Sequence, residues 1–168
     1  MVVPPIISDS TKPTSVRVAA YRLTRALSDK MPLPRGQFAR QFYRAGKQRF
    51  DDARLLLEAA RTTGAIYLAG YGVECFLKAM ILSLVPDDEQ PDVERGFRSA
   101  TAHRFDWLRR QYFQRGGPQF PPEIASAFVL VNTWGTEWRY RSGVASQRDA
   151  TDFLDSAEQI IVWADSRI

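Results

Sequence analysis

The sequence contains one cysteine, Cys75, and one histidine, His103, among 168 residues. A single cysteine excludes an internal disulfide and is typical of a protein from a reducing compartment, so we expect a cytoplasmic protein. Zinc sites usually take three or four nitrogen or sulfur ligands. The composition therefore argues against a dedicated zinc site, and we expect neither a metal nor a cofactor.

One long apolar stretch, residues 64–84, stands out in a sequence that is otherwise amphipathic. Its length would suffice to cross a membrane, but Glu74 and Lys78 interrupt it one helical turn apart. We interpret it as the central helix of a soluble bundle and expect no membrane partner. Residues 1–7 are apolar too, but two prolines interrupt them and no cleavage site follows, so no secretion signal is expected.

Helical periodicity dominates the chain after residue 34. The spacing of apolar residues predicts helices over residues 37–61, 64–84 and about 102–113, a fourth from Pro122 toward Arg139, and a fifth that Ser146 and Asp149 open as a capping box.

The connection between the first two helices is short. Gly64 suits a C-terminal cap for the first helix, and Thr62 and Thr63 suit N-terminal caps for the second, so we expect an antiparallel hairpin. We predict an all-α fold, a helical bundle over residues 35–168. Residues 1–34 are predicted to be an N-terminal extension, an arm or linker, because prolines punctuate them.

The net charge of +4 is unevenly distributed. Residues 1–50 carry a balance of +8, whereas residues 51–168 carry a balance of −4. Such asymmetry is typical of proteins with a polyanionic partner. A solvated basic face or arm would give the same balance, and both interpretations stay open.

Two adjacent patterns stand in residues 50–82: DA-x-LL, followed by A-x-YLAGY-x-VEC-x-LKA. Downstream, His103, Asp106 and Leu108 form an H-D-L-like stretch, and Arg139 and Tyr140 form an R-Y element before the last helix. These patterns resemble those of the HEPN domain family (higher eukaryotes and prokaryotes nucleotide-binding). The resemblance covers roughly residues 38–168.

The resemblance implies an up-and-down bundle of four main helices plus a short extra helix, which is often a homodimer. Many HEPN proteins are metal-independent ribonucleases of toxin–antitoxin or phage-defence systems, and others are non-catalytic binding modules beside a small nucleotidyltransferase. The ribonucleases carry an R-x4–6-H motif, and the matching residues here are Arg98 and His103.

Two groups of polar residues have both a functional and a structural interpretation. His103 could serve as acid or base and Arg98 as the cation beside a cleaved phosphate. Alternatively, His103 only caps or orients the third helix. The second group could bind phosphates or form a solvated helix face; its members are Arg104, Arg109, Arg110 and Arg115.

A third group lies on or near the central helix. It could line a ligand pocket between helices, or it could be an internal network in which Glu74 pairs with Lys78 or Arg139. Its members are Tyr71, Glu74, Lys78, Arg139 and Tyr140.

The sequence leaves three functions open. The first is a dimeric binding module for nucleotide or RNA in a toxin–antitoxin or defence-type system, with a nucleotidyltransferase-type antitoxin or another protein as partner. The alternative is a metal-independent endoribonuclease that uses Arg98 and His103. The second alternative is a scaffold that binds only protein.

Overall fold

The computed structural model describes residues 33–141 and 145–168. The predicted arm, residues 1–34, lies outside the described residues except for its last two positions. All regular secondary structure in the described residues is helical, with six α-helices, two short 3₁₀ helices and no strand. This confirms the predicted all-α fold.

The six α-helices follow one another along the chain with short connections. They are α1 (Gln37–Glu58), α2 (Thr62–Ser83), α3 (Gln90–Gly96), α4 (Phe105–Gln114), α5 (Pro122–Val131) and α6 (Gln147–Asp165). The first 3₁₀ helix is Ala100–His103, and the second is Thr136–Tyr140.

Helix α2 is the centre of the bundle, as predicted. It packs along α1 in a hairpin and also contacts α4 and α6. Among the described residues it is the one helix long and apolar enough to span a membrane, but 78% of that span is buried inside the fold. Burial on nearly every side is the expected environment of a core helix.

The hairpin between α1 and α2 closes differently from the prediction. The left-handed residue is Ala60, with φ of +56°, and Gly64 lies in the first turn of α2. The threonines do not cap α2. Instead, the Thr62 hydroxyl donates to the carbonyl of Ala145 at 2.7 Å, and the Ala145 amide donates to the Thr63 hydroxyl at 3.2 Å. They fasten the segment before α6 to the start of α2.

The predicted third helix is interrupted. It consists of the first 3₁₀ helix and α4, with an extended residue, Arg104, between them. Helix α3 was not predicted from the periodicity of the sequence. Proline is well tolerated in the first turn of a helix, and Pro91 occupies that position in α3.

The predicted fourth helix ends at Val131 and does not continue to Arg139. The turn after it brings Trp134 into the core, where the indole stacks on Phe105 with ring centroids 5.2 Å apart. The indole N–H donates to the carbonyl of Tyr67 at 3.2 Å. The helix thus ends before Trp134 although the helical periodicity of the sequence continues, and the extended Gly135 follows this indole.

Helix α6 begins as predicted. The amide of Asp149 donates to the Ser146 hydroxyl at 3.0 Å, which satisfies one of the amides left unpaired at the start of a helix. The apolar stripe of α6 is buried against α2 and α5.

The close approach of Trp134 to α2 depends on Gly70. A Cβ atom added at Gly70 would lie 2.2 Å from the Trp134 indole nitrogen. We expect Gly70→Ala to lower the free energy of unfolding by about 2 kcal/mol, because the indole is held on both faces and cannot yield cheaply. Chemical denaturation followed by circular dichroism would measure the change.

The matched control is Gly96→Ala, since nothing lies within 4 Å of a Cβ at Gly96. We expect this change to be neutral or to stabilise by up to about 1 kcal/mol. Equal effects of the two substitutions would contradict the packing described for Trp134.

Candidate functional site

A buried ion pair lies in the middle of α2. Lys78 Nζ lies 2.7 Å from Glu74 Oε1, one turn away on the same helix, as predicted. The two residues are only 2% and 4% exposed. Isolated charges at such depth would be very costly, so each depends on the other.

Two aromatic rings complete the surroundings of Lys78. Its ammonium lies 5.5 Å from the ring centroid of Phe42 on α1 and 5.4 Å from that of Phe97, which follows α3. The two rings contact each other edge to face. Cation–π attraction is strongest for a desolvated cation, so the rings stabilise the buried charge.

His103 adds a third member to this network. Its Nδ1 lies 3.0 and 3.1 Å from the two carboxylate oxygens of Glu74. An ionised carboxylate only accepts hydrogen bonds, so Nδ1 carries a proton and donates. This arrangement fixes the ring orientation and leaves Nε2 as the nitrogen available to an outside group. The side chain is 37% exposed, so solvent reaches it.

Tyr71 lies one turn before Glu74 at the edge of the network. Partial burial, the hydrogen bond to Tyr67 and the negative charge of Glu74 together raise the pKa of Tyr71 to about 12, although the charge of Arg139 opposes them. The phenol is therefore neutral at physiological pH. The charge of Arg139 acts on this part of the protein from the second 3₁₀ helix.

The residues of the predicted third group therefore differ in how deeply they are buried. Glu74 and Lys78 are interior, Tyr71 is half-buried, and Arg139 and Tyr140 are exposed. Glu74 pairs with Lys78, as predicted, and with His103, whereas the predicted alternative partner Arg139 forms no ion pair with it. The guanidinium of Arg139 instead lies 4.9 Å from the ring centroid of Tyr140.

Arg98 has a different environment from His103. Its guanidinium donates to Glu94 at 3.0 Å on the surface of α3, and its side chain is 72% exposed. Arg98 and His103 thus have separate partners within the described chain. Their joint catalytic role stays a prediction.

The four arginines predicted to bind phosphates differ in their contacts. Arg109 donates to Asp106 and covers the Phe128 ring, and Arg115 donates to the carbonyl of Gln111. The other two are exposed, and no carboxylate of the described residues pairs with them; these are Arg104 and Arg110.

The bond between His103 and Glu74 was missed from the sequence. The two residues are 29 positions apart, and neither periodicity nor spacing connects them. A signal was nevertheless present: a carboxylate on an apolar helix needs more than one donor, and the chain has only one imidazole. Pairing them would have been a sound hypothesis.

The described residues contain no group of three or more His, Cys, Asp or Glu side chains that could hold a metal ion. Cys75 is not a poised nucleophile either. Burial and, to a smaller extent, the neighbouring charge of Glu74 raise the pKa of its thiol to about 12. The chemically available groups at this site are therefore the imidazole of His103 and the arginines around it.

Removing the carboxylate of Glu74 would leave Lys78 buried without its ion-pair partner. We expect Glu74→Ala to lower the free energy of unfolding by about 3 kcal/mol. The control is Asp152→Ala, which removes the acidic partner of an i,i+4 pair with Arg148 on the surface of α6. It should cost less than about 1 kcal/mol in the same denaturation experiment, and an equal cost would contradict the role of burial.

The raised pKa of Cys75 predicts a slow thiol. At pH 8 the thiolate fraction of a group with a pKa of about 12 is far below that of an ordinary cysteine. We expect iodoacetamide to alkylate the folded protein at least about 100-fold more slowly than the urea-unfolded protein, measured by mass spectrometry. Similar rates would show that the thiol ionises normally in the folded state.

Comparison with known proteins identifies the family. A family model of the HEPN domain matches residues 39–167, which is most of the chain and includes all the residues of the buried network. No curated protein and no solved structure matches the chain with significance. HEPN domains are nucleotide- or RNA-associated modules, and the all-helical fold agrees with the match. The chain therefore belongs to the HEPN domain family.

Proposed function

We propose that the protein is a non-catalytic RNA-binding module that acts as a homodimer. The observation that carries the proposal is a difference in burial and pairing among the polar residues. His103 is engaged in holding the Glu74–Lys78 pair, whereas the neighbouring Arg104 and Arg110 are exposed and lack an acidic partner among the described residues. Exposed guanidinium groups are well suited to phosphates, because counterion release favours their binding.

Exposed apolar residues support the dimer. Val129 and Leu130 on α5 are 73% and 41% exposed, and Val162 on the adjoining α6 is 47% exposed. HEPN domains commonly dimerise. We further propose that the dimer belongs to a toxin–antitoxin or defence-type system, in which a nucleotidyltransferase-type antitoxin or another protein is its partner.

RNA binding would be measured by fluorescence anisotropy with a labelled oligonucleotide over a range of salt concentrations. We expect the double variant Arg104→Ala/Arg110→Ala to bind more weakly. The slope of log K against log salt should fall by about 0.7 for each lost phosphate contact on a single strand.

The control removes an exposed arginine elsewhere. Arg148 is on α6, and Arg148→Ala should leave both affinity and slope unchanged. If the unmodified protein binds no RNA, the proposal is wrong, and a scaffold that binds only protein becomes the better interpretation.

A metal-independent ribonuclease is the second candidate, because Glu74 orients the His103 ring through Nδ1, and the bond does not engage Nε2 of this partly exposed side chain. An acid or base held in this way is what RNA cleavage without a metal requires. In this case, Arg98 would supply the cation, and the cleft between two subunits would bring it near His103 of the other copy.

Incubation with labelled RNA in EDTA separates the two candidates. The informative variant is His103→Asn, because an amide can still donate to Glu74 but offers no titratable Nε2. The binding module predicts no cleavage and unchanged RNA affinity for this variant. Cleavage by the unmodified protein that the variant loses would establish the ribonuclease instead.

A further inference from the structure

The second 3₁₀ helix and the residue after it carry the sequence Trp138-Arg139-Tyr140-Arg141, in which aromatic and cationic side chains alternate. Tyr140 is 77% exposed, the largest exposed fraction recorded among the large apolar side chains of the described residues. No helix of residues 33–141 or 145–168 covers its ring. A phenol ring that is exposed in this way contributes little to the core. Packing of the core therefore does not explain its position.

A guanidinium group lies against each aromatic ring of this segment. Arg139 lies 4.9 Å from the centroid of Tyr140, and Arg141 lies 4.0 Å from that of Trp138. Stacking of this kind restricts the rotamers of all four side chains before any ligand arrives. Glu137 is the one acidic residue of the 136–141 stretch, so the segment keeps a positive balance.

The segment is attached to a rigid base. Trp134, just before it, is buried against Phe105 and bonded to the backbone of α2. The amide of Trp138 donates to Gly135 at 3.1 Å, and that of Arg141 donates to Trp138 at 3.2 Å. The backbone that carries the exposed ring of Tyr140 is therefore held in place.

The segment is connected through the core to the chain around Arg104. Arg104 immediately precedes Phe105, the ring on which Trp134 stacks, and Trp134 lies four residues before Trp138. The charge of Arg139 acts in turn on Tyr71 of α2.

We propose that residues 138–141 form a binding site for single-stranded RNA. An unpaired base stacks on the exposed ring of Tyr140, and the guanidinium groups of Arg139 and Arg141 bind the flanking phosphates. This site rests on the proposed RNA-binding function and adds its location and the class of RNA. Single strands are required because only unpaired bases present a free face to an aromatic ring.

The test compares a labelled single-stranded oligouridine with a blunt RNA duplex of the same length, again by fluorescence anisotropy. Tyr140→Ala should weaken binding of the single strand about tenfold or more, since one stacked base contributes that much. It should change binding of the duplex by less than about twofold. Tyr140→Phe should bind the single strand like the unmodified protein, because stacking needs the ring and not the hydroxyl.

Substitution of the arginines should change the salt dependence of binding. Arg139→Ala should lower the slope of log K against log salt for the single strand by about 0.7, which corresponds to one phosphate contact. Arg148→Ala, which removes an equal charge from α6, should leave the slope unchanged. Light scattering on every variant reports the oligomeric state.

The outcomes distinguish this site from the general function. If the unmodified protein binds neither RNA, the proposed function fails. If it binds the single strand and Tyr140→Ala binds equally well, RNA binding stands but the stacking site is overturned. A Tyr140→Ala variant that changes the molecular mass and keeps its RNA affinity would likewise overturn the site, and would show that this surface contacts protein.

Discussion

The structure depends on how one buried carboxylate is satisfied. Glu74 accepts from Lys78 on its own helix and from His103, which ends the first 3₁₀ helix. Because unpaired charges at this depth are very costly, the carboxylate is fully satisfied only when α2 and the first 3₁₀ helix are in register. The pair thus selects one arrangement of the bundle, whereas apolar packing alone would tolerate several.

The same network separates interior from surface chemistry. Glu74 and Lys78 pair with each other inside the protein, so their charges are not accessible to a ligand. The accessible polar groups include the partly exposed ring of His103 and the exposed side chains of Arg104, Arg139 and Tyr140. The proposed RNA binding would use cations and aromatic rings of this kind, since RNA presents phosphates and, where it is unpaired, the faces of its bases.

The sequence predicted the fold better than the site. Periodicity was sufficient for α1, α2 and α6, because their apolar faces repeat over several turns and a serine caps the last of them. It failed after Val131, where burial of Trp134 ends the helix although the sequence pattern continues. The i,i+4 pair of Glu74 and Lys78 was predictable because it is local. The bond from His103 was not, since it joins residues whose proximity is created only by the tertiary fold.

The polar contacts that hold the bundle together join residues at very different separations along the chain. The Glu74–Lys78 pair joins residues four apart, the His103 bond spans 29 positions, and the bond from Thr62 to Ala145 spans 83. Contacts between distant residues must overcome a larger loop-closure entropy. During synthesis on a ribosome, the α1–α2 hairpin would emerge with the Glu74–Lys78 ion pair already made. One carboxylate oxygen of Glu74 would still lack its hydrogen bond from His103, and the apolar face of α2 that later packs on α4 and α6 would be exposed. We therefore expect the nascent hairpin to stay incompletely ordered until His103 is synthesised, and pulse-labelled hydrogen exchange on stalled chains would detect protection of α2 rising at that length.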